Sequence, residues 1–534
     1  MSIQPRRVPT VGPEREVAAG HGAMPGRTNG RVPAREAAAM DSTGAILPED
    51  FRIGVATAGF QVEGGFNGPG EPANNWVRWE RTGRVEPSGI AVDFWGRAED
   101  YLDLAAGLGC DAFRMSVEWA RVEPVEGAID TAALDRYRTI LRACAERGLQ
   151  PLVTLHHFTH PAWLGEDFWL SASAPARIAE WVRLAVAHLR DSCRHWVTIN
   201  EPNVLAMGSY LLGTFPPGRR LALTDFLACV DHLLAAHVLA YEAIHEVQPD
   251  AVVTTNNASV SLYELDRLLI DLLLARSSGI PRQEVASWLS DRRAAWYAEL
   301  PAPGALERVL RRVTRQVAGA RAEGVGRRGG AGSPSRALAA LYGSPHERPL
   351  DVVGIDYYDP VASHHLRLPG HRTAGGRTWR PARELWDDRV HPAGLVTYCR
   401  ANSGAEGWHP DGSLAGTSVW VVENGLCNRV RRGRSYARLD GWDRPAYLRA
   451  HVAALVDALD AGLPVGAYYH WSLVDNYEWG SYEPRFGIFG VDRARGPHGF
   501  TVLDSDAMGL DAPGTFRRLV AALRQGERAA IVER

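Results

Sequence analysis

Short runs of apolar and β-branched residues alternate with segments of helical periodicity along most of the chain. An apolar run of about four to eight residues is typical of a buried strand, and apolar residues about three to four positions apart are typical of a helix with one buried face. The runs predict strands at Ile53–Ala58, Ala112–Val117, Pro151–Leu155, His195–Ile199, Ala251–Thr255, Asp351–Ile355, Ser418–Val422 and Val465–His470. The helical pattern is clear at Glu99–Leu108, Ala132–Arg147, Ala176–Asp191, Thr224–Val247 and Pro445–Leu459.

This alternation predicts an α/β fold with a parallel sheet, because helical crossovers join parallel strands with right-handed connections. Eight such units are what a single closed (β/α)8 TIM barrel with long βα loops requires. An open doubly wound sheet is the rival, and it usually carries a glycine-rich phosphate turn after its first strand. Here the first strand runs into ATAGFQVEGG, which matches neither GxGxxG nor GxxxxGK[ST]. The sequence therefore favours the barrel.

Three segments interrupt the pattern. Residues 1–45 are rich in Pro, Gly, Arg and Ala and lack periodicity, which predicts a disordered N-terminal tail before a barrel domain at residues 46–534. The Gly-, Arg- and Ser-rich stretch Arg321–Arg336 predicts a flexible insertion, and His364–Pro381 predicts a long loop.

Composition narrows the class of protein. The 534 residues carry a formal net charge of -3 and include no lysine, which argues against nucleic acid or an anionic membrane as the main partner. The six cysteines have no CxxC spacing, so we expect reduced, mostly buried thiols in a cytoplasmic protein and no metal site. No apolar run reaches the ~18 residues of a membrane span. We expect no cofactor, and the sequence carries no signal of an oligomeric state.

Polar and aromatic residues lie in or just after each predicted strand. In a parallel barrel all these strand ends meet at one mouth, where barrel enzymes place their sites. Any one of the residues is more simply explained as a cap or a loop residue, but capping alone does not explain eight strands that end alike. In strand order they are Gln61; Arg114; His156 and His157; Asn200 and Glu201; Asn256 and Asn257; Asp356, Tyr357 and Tyr358; Glu423 and Asn424; and His470, Trp471, Glu478 and Trp479.

Two of these residues suit glycoside hydrolysis, which needs two carboxyl groups that face each other across a sugar. Glu201 and Glu423 end the fourth and seventh strands, which lie across the mouth from each other, and each sits beside an asparagine. The alternative is that each glutamate caps a following helix. For Glu201 this is the weaker reading, because Pro202 already supports a helix start.

Tryptophan content also favours a carbohydrate. The chain has 17 tryptophans, and the flat C–H faces of sugar rings stack on indole. Each tryptophan alone is more often a core residue. Trp471 and Trp479 are exceptions, since they flank Glu478 in a polar segment. The others near the predicted strand ends are Trp163, Trp386 and Trp420.

Six motifs occur in one order along the chain. They are FRIGVATAGFQVEG at Phe51–Gly64, FRMSVEWARVEP at Phe113–Pro124, LHHFTHP at Leu155–Pro161, TINEP at Thr198–Pro202, VVENG at Val421–Gly425 and WSLVDNYEWGSYEPRFG at Trp471–Gly487. Together they resemble glycoside hydrolase family 1, the β-glucosidase family, over about residues 48–500. The resemblance implies a retaining β-glycosidase that acts on β-D-glucosides or related β-glycosides, as small molecules or oligosaccharides.

The resemblance also implies a role for each matching residue. Glu201 corresponds to the acid/base and Glu423 to the nucleophile. The supporting residues would be Arg114, Asp356 and Phe486. The substrate would contact Gln61, His157, Asn200, Tyr358, Trp471, Glu478 and Trp479, with Arg114 and Tyr358 keeping Glu423 ionised.

Some positions depart from the family pattern. Asp356 stands where an asparagine is usual and adds a third carboxyl group near the site, with consequences expected for the pH profile or the aglycone preference. Val422 replaces a threonine and Phe158 a tryptophan. Because Trp479 is kept and lysine is absent, a 6-phosphoglycoside is not the expected substrate. Two other functions stay open: a transglycosylase that uses the same glutamates, and a sugar-binding protein without activity.

Overall fold

The computed structural model describes residues 46–532 except 261, 300–307, 310, 313–334, 360–389, 405–413, 415, 439, 495 and 497. The predicted N-terminal tail, the predicted loop at 364–381 and Trp386 lie outside the described residues. So does most of the predicted insertion. Its last two residues are placed and do not belong to an irregular segment, because the Ser335 hydroxyl caps the helix Arg336–Gly343 by accepting from the Leu338 amide.

Eight parallel strands close into one barrel, as the sequence predicts. Each strand pairs with its neighbours in the chain, and the first pairs with the eighth to close the ring. We number these barrel strands one to eight: Arg52–Ala56, Ala112–Ser116, Gln150–Thr154, His195–Asn200, Val252–Ala258, Val353–Tyr357, Val419–Asn424 and Val465–Trp471.

The fourth to eighth strands extend one to three residues further toward the mouth than their apolar runs indicate, whereas the first three end one or two residues earlier. Asn200, Asn256 and Glu423 lie within the strand ladder rather than after it. The pairing register shifts between Val197 and Asn200, and again between Ile355 and Asp356. Backbone pairing thus continues where the side chains turn polar, which apolar periodicity cannot reveal. These polar side chains are therefore held on regular structure and not on loops.

Helices surround the barrel. The α-helices are Gly59–Val62, Asn75–Glu80, Phe94–Gly107, Trp119–Val122, Thr131–Glu146, Ala174–Leu189, Pro202–Ala206, Leu223–Val247, Arg267–Leu274, Val285–Glu299, Arg336–Gly343, Ala393–Ala401, Arg444–Asp460, Ala512–Gln525 and Arg528–Val532. A π-helical segment, Met207–Leu212, precedes the longest of them. The five helices predicted from periodicity are confirmed to within a few residues, apart from an earlier start at Phe94.

Leu223–Val247 is long and apolar enough, by length and composition alone, to cross a membrane. It connects the fourth and fifth barrel strands and buries Phe226, Leu233 and Val238 among its neighbours. Its apolar character is therefore explained by packing on the barrel.

Two small antiparallel sheets lie outside the barrel. One contains Asn428–Arg431, Arg434–Tyr436 and Pro484–Arg485, and the other pairs Val491–Asp492 with Thr501–Val502. The first joins the chain after the seventh strand to the loop after the eighth, so two segments that border the mouth are tied together.

The barrel interior below the mouth is filled by side chains. Leu152, Val197, Trp420 and Tyr469 belong to one buried apolar cluster. Gly54 on the first strand makes room for this packing, because a Cβ atom there would lie 2.6 Å from the carbonyl oxygen of Ala112 and 2.7 Å from the Tyr469 ring. The filled interior forms a rigid floor under the site. All six cysteines are buried, as expected.

Gly54→Ala should destabilise the protein by about 1–3 kcal/mol, because an extra methyl group in a filled core forces its neighbours apart. Gly107→Ala is the matched control, since a Cβ atom at this helical position meets nothing within 4 Å and alanine favours the helix by ~0.5–1 kcal/mol. Thermal unfolding followed by circular dichroism measures both. Equal melting temperatures for the two variants would contradict this packing.

Candidate active site

Two buried glutamates face each other at the carboxyl ends of the barrel strands. Glu201 directly follows the fourth strand, and Glu423 lies in the seventh. Their side chains come close enough that one carboxylate oxygen of each lies within 4.8 Å of the other. Retaining glycosidases hold their carboxyl groups about 5–5.5 Å apart and inverting ones about 6.5–9.5 Å. The spacing fits direct attack by one carboxylate.

The backbone turns sharply at Glu201. Its φ of 37° is left-handed, and Pro202 starts the next helix immediately. Glu201 occupies the N-cap position, but its side chain makes no capping hydrogen bond. The capping interpretation is therefore wrong for this residue, and its carboxyl group is available to the mouth.

Glu423 is held by two donors. The Arg114 guanidinium donates to one carboxylate oxygen and the Tyr358 hydroxyl donates to the other at 2.6 Å. Burial lowers the pKa of Arg114, but the carboxylates of Glu423 and Asp356 outweigh it and raise that pKa. Burial and the charge of Glu423 raise the pKa of Tyr358 well above its ordinary value, so the phenol keeps its proton. Both groups stabilise an ionised Glu423.

Within the part of the chain that the structure describes, Glu201 has no paired cation, unlike Glu423, and lies beside a second carboxyl group. Burial, followed by the charge of Glu423, raises the pKa of Glu201 well above its ordinary value, and the opposing effect of Arg114 is smaller. Among the described residues, the only side-chain donor to the Glu201 carboxyl group is the amide of Asn200, at 3.4 Å. The raised pKa favours the protonated form of Glu201, whereas Glu423 is paired with a guanidinium.

Asn200 links the two halves of the site. Its side-chain oxygen accepts from Arg114 and from the Asn256 amide, the latter at 2.8 Å. The sequence places Asn256 at a strand end but does not by itself assign it to the site. The signal that could have identified it is the pair of asparagines at the end of the fifth strand.

Asp356 completes a cluster of three carboxyl groups. One oxygen from each of Glu201, Asp356 and Glu423 lies within 4.8 Å of the others. Three carboxylates so close could contact one cation, but a guanidinium already pairs with Glu423. Burial, then Glu423 and Glu201, raise the pKa of Asp356 well above its ordinary value, which favours protons over a metal ion as the balancing charge.

One wall of the site is lined by Gln61 and Glu478. The Gln61 amide nitrogen donates to the Tyr477 carbonyl at 2.9 Å and to a Glu478 oxygen at 3.3 Å. The indole of Trp471 donates to the other Glu478 oxygen at 3.2 Å. The side-chain oxygen of Gln61 is buried and has no hydrogen-bond partner among the described residues. A sugar hydroxyl would supply the missing donor.

An aromatic layer completes this wall. The His157 ring is nearly parallel to Trp471 and Trp479, with centroids 6.0 and 5.7 Å away. Burial lowers the pKa of His157 well below its ordinary value, so the ring is neutral. Phe158 meets the Trp479 ring edge-on at 4.9 Å. On the far side Phe486 packs edge-on against Tyr358 at 6.0 Å.

Several residues expected at the mouth point elsewhere. His156 packs against Trp169, and His470 packs against Phe516. The Asn424 side chain accepts from Tyr468 and donates to Tyr447, on the outer side of the barrel. Within a strand, successive side chains point to opposite faces, so Asn424 and His470 point away from the face that carries Glu423 and Trp471.

Two of the three remaining tryptophans are structural. Trp420 lies in the interior cluster with its ring 5.7 Å from His195, at the other end of the barrel. Trp163 donates to the Glu123 carbonyl and packs against Trp119.

Sequence reasoning missed a second pair of buried carboxyl groups, under the helix that carries Gln61. Glu118 accepts from the Phe60 amide at 3.0 Å and from the Thr159 hydroxyl at 2.8 Å. Glu63 accepts from Tyr137 and pairs with Arg121. Burial, then the charge of Glu63, raise the pKa of Glu118 to about 8. The signal available was a lone acidic residue inside the apolar run FRMSVEWARV.

Comparison with known proteins gives one family. The sequence profile of glycosyl hydrolase family 1 matches residues 43–288 and 413–502. The chain is 25% identical to 6-phospho-beta-galactosidase 1 of Streptococcus pneumoniae, covering 84% of this chain and 94% of that protein. It is 28% identical to a beta-glucosidase of Agrobacterium sp., covering 84% and 91%. The structure of a beta-glucosidase from Thermotoga maritima in complex with castanospermine superposes with a TM-score of 0.64 at 22% identity, covering 90% and 98%.

Glu118→Gln should make the free energy of unfolding depend less steeply on pH between about 5 and 8. Because the pKa of Glu118 is raised from 4.5 to about 8, the folded state binds an extra proton between these values. That contribution is fully present below pH 4.5 and is lost as pH rises toward 8. Melting temperatures at pH 5 to 8 should fall less steeply in the variant. Glu146→Gln, at an exposed helical position, should leave the slope unchanged. Identical slopes in wild type and Glu118→Gln would show that Glu118 is ionised.

Proposed function

Because the chain belongs to glycosyl hydrolase family 1, we propose that Glu423 is the nucleophile and Glu201 the acid/base of its reaction. The protein is an O-glycosyl hydrolase, a retaining β-glycosidase on a TIM barrel. The observation that supports this assignment is the close approach of the two buried carboxyl groups, combined with a guanidinium on Glu423 alone. Neither transglycosylation nor binding without activity gains support from the comparisons.

The first half-reaction uses the difference between the two carboxyl groups. A Glu423 oxygen bonds to the anomeric carbon while the bond to the aglycone oxygen breaks. Glu201 gives its proton to that oxygen, so the leaving group departs as a neutral alcohol. The Arg114 and Tyr358 donors keep Glu423 ionised and hold it in place before attack.

The second half-reaction depends on the loss of the negative charge of Glu423 in the first. When Glu423 becomes an ester it loses its negative charge, and that charge is a main cause of the raised pKa of Glu201. The pKa of Glu201 therefore falls, and its carboxylate now takes a proton from water. The water oxygen bonds to the anomeric carbon, the ester bond breaks and Glu423 is regenerated. One residue thus serves as acid and then as base.

The glycone is proposed to be an unphosphorylated β-linked sugar, with β-glucosides as the reference substrates. Gln61, Glu478, His157 and Asn200 offer acceptors and donors to its hydroxyls, and Trp479 offers an apolar face. Both oxygens of Glu478 accept hydrogen bonds from the wall. Their anionic charge would repel a phosphate group placed beside them. This proposal separates the chain from the 6-phospho-beta-galactosidases that it also resembles.

Unphosphorylated p-nitrophenyl β-glycosides should be cleaved with kcat/KM about 100-fold or more above that of their 6-phosphates, because like charges placed together cost several kcal/mol. A panel of both substrate types, assayed by nitrophenolate release, measures this ratio. Glu478→Gln should weaken binding of the unphosphorylated sugar and lower the ratio of kcat/KM for unphosphorylated substrates to kcat/KM for their 6-phosphates. Preference for a 6-phosphate would overturn the proposed glycone while leaving the reaction type intact.

Glu201→Ala should lower turnover of substrates with poor leaving groups by about 10²–10⁴-fold. Azide should restore turnover of a dinitrophenyl glycoside, because a small anion can attack the ester without a base. The product should be the β-glycosyl azide, formed by two displacements.

Glu423→Ala is the matched control for the azide experiment. Azide would here replace the nucleophile itself and enter by one displacement, so the product should be the α-glycosyl azide. NMR of the anomeric proton distinguishes the two products. If the two variants gave the same anomer, the two glutamates would not have the assigned roles.

A further inference from the structure

Asp356 lies between two strands that carry parts of the site. It pairs in register with Glu423 on the seventh strand and with Ala258 on the fifth, and its side chain is fully buried. A regular strand position fixes its carboxyl group relative to Glu423. The residue is therefore part of the site rather than of its surroundings.

The charge of this site is not balanced by its single guanidinium. Each of the three nitrogens of Arg114 already donates one hydrogen bond, to Thr154, to Glu423 and to Asn200. Three ionised carboxyl groups within 4.8 Å of one another would leave two uncompensated charges in a buried space, which is strongly unfavourable. The cluster must hold protons, and Glu201 accounts for only one of them.

The hydrogen bonds of Asp356 indicate where a second proton lies. Its Oδ2 accepts from the Asn256 amide nitrogen, which also donates to Asn200 and is fixed by doing so. Its Oδ1 is buried and has no hydrogen-bond partner among the described residues. A proton on Oδ1 would make this oxygen a donor. Asp356 would then present one acceptor and one donor, like the asparagine usual at this position.

We propose that Asp356 is a positioning residue that stays a neutral carboxylic acid and donates a hydrogen bond from Oδ1 to whichever catalytic carboxylate is ionised. This inference rests on the proposed function, since it takes Glu423 as the anion of the free enzyme and Glu201 as the anion of the glycosyl-enzyme. Both acceptors lie within the same 4.8 Å cluster. The donor turns from Glu423 to Glu201 when the ester forms.

The surroundings of Asp356 support the neutral form. The titratable groups that face it are Arg114, Glu201, Glu423 and Tyr358. Burial and the two glutamates raise its pKa well above the ordinary value, and the opposing effect of Arg114 is smaller. Tyr358 keeps its proton and adds no negative charge. Burial and the neighbouring glutamates therefore favour the protonated form of Asp356.

The test uses Glu201→Gln, which imitates the protonated acid and removes its signal. Infrared difference spectra at neutral pH between Glu201→Gln and Glu201→Gln/Asp356→Asn should contain the carbonyl stretch of one protonated carboxylic acid. A carboxylate band instead would show that Asp356 is ionised and overturn the proposal. The spectra need no substrate, so the result is independent of whether the proposed function holds.

Measurements of turnover distinguish a positioning role of the Asp356 side chain from a purely structural one. Asp356→Ala should have kcat about 10- to 100-fold below that of Asp356→Asn, with similar KM, because only asparagine keeps a donor. The alkaline limb of kcat/KM in Asp356→Asn should coincide with that of wild type. A limb displaced to lower pH by a unit or more would mean that an anion had been removed, and would contradict the neutral acid. Failure of the proposed function would appear instead as wild type without β-glycosidase activity.

Discussion

The ion pair between Arg114 and Glu423 is the interaction on which the rest of the site depends. Both side chains are buried, and breaking such a pair leaves an uncompensated charge in a medium that solvates it poorly. Because Arg114 pairs with Glu423 and not with Glu201, the two carboxyl groups lie in unequal environments, and burial together with Glu423 favours the protonated form of Glu201. The chemistry of a retaining glycosidase follows from that inequality.

The barrel creates the inequality by placing each contributor on a different strand. Arg114 comes from the second strand, Asn200 from the fourth, Asn256 from the fifth and Glu423 from the seventh. Their hydrogen bonds run across the mouth from strand to strand, so the site is complete only when the barrel is closed. The filled interior below, with Trp420 and Tyr469, prevents these side chains from relaxing downward.

The sequence was sufficient to predict the barrel and most of the side chains that meet at its mouth, although not Asn256. Apolar runs located all eight strands, because burial on both faces needs continuous apolar sequence. The sequence was less informative about which side chains point into the barrel mouth. Asn424 and His470 stand beside residues of the mouth, but strand alternation turns them outward. His156, which follows the third strand, packs against Trp169 instead. Only the register, which depends on pairing between strands, decides which neighbour faces in.

Contacts between distant parts of the chain could not be predicted from local pattern. Glu118 accepts a hydrogen bond from the Phe60 amide, 58 residues away in the chain, and the sequence around Glu118 does not indicate this partner. The charge state of Asp356 likewise depends on Glu201 and Glu423, which only the fold brings beside it. A departure from the family pattern at this position could be seen in the sequence, but its electrostatic meaning required the three-dimensional site.

The most direct test of the account is to trap the covalent intermediate. Wild-type protein is incubated with a 2-deoxy-2-fluoro β-glycoside that has a dinitrophenolate leaving group, digested and mapped by mass spectrometry. The account predicts one fluoroglycosyl group per chain, on Glu423 in the peptide that contains VVENG. A label on Glu201, or turnover to an inverted product without any label, would contradict it.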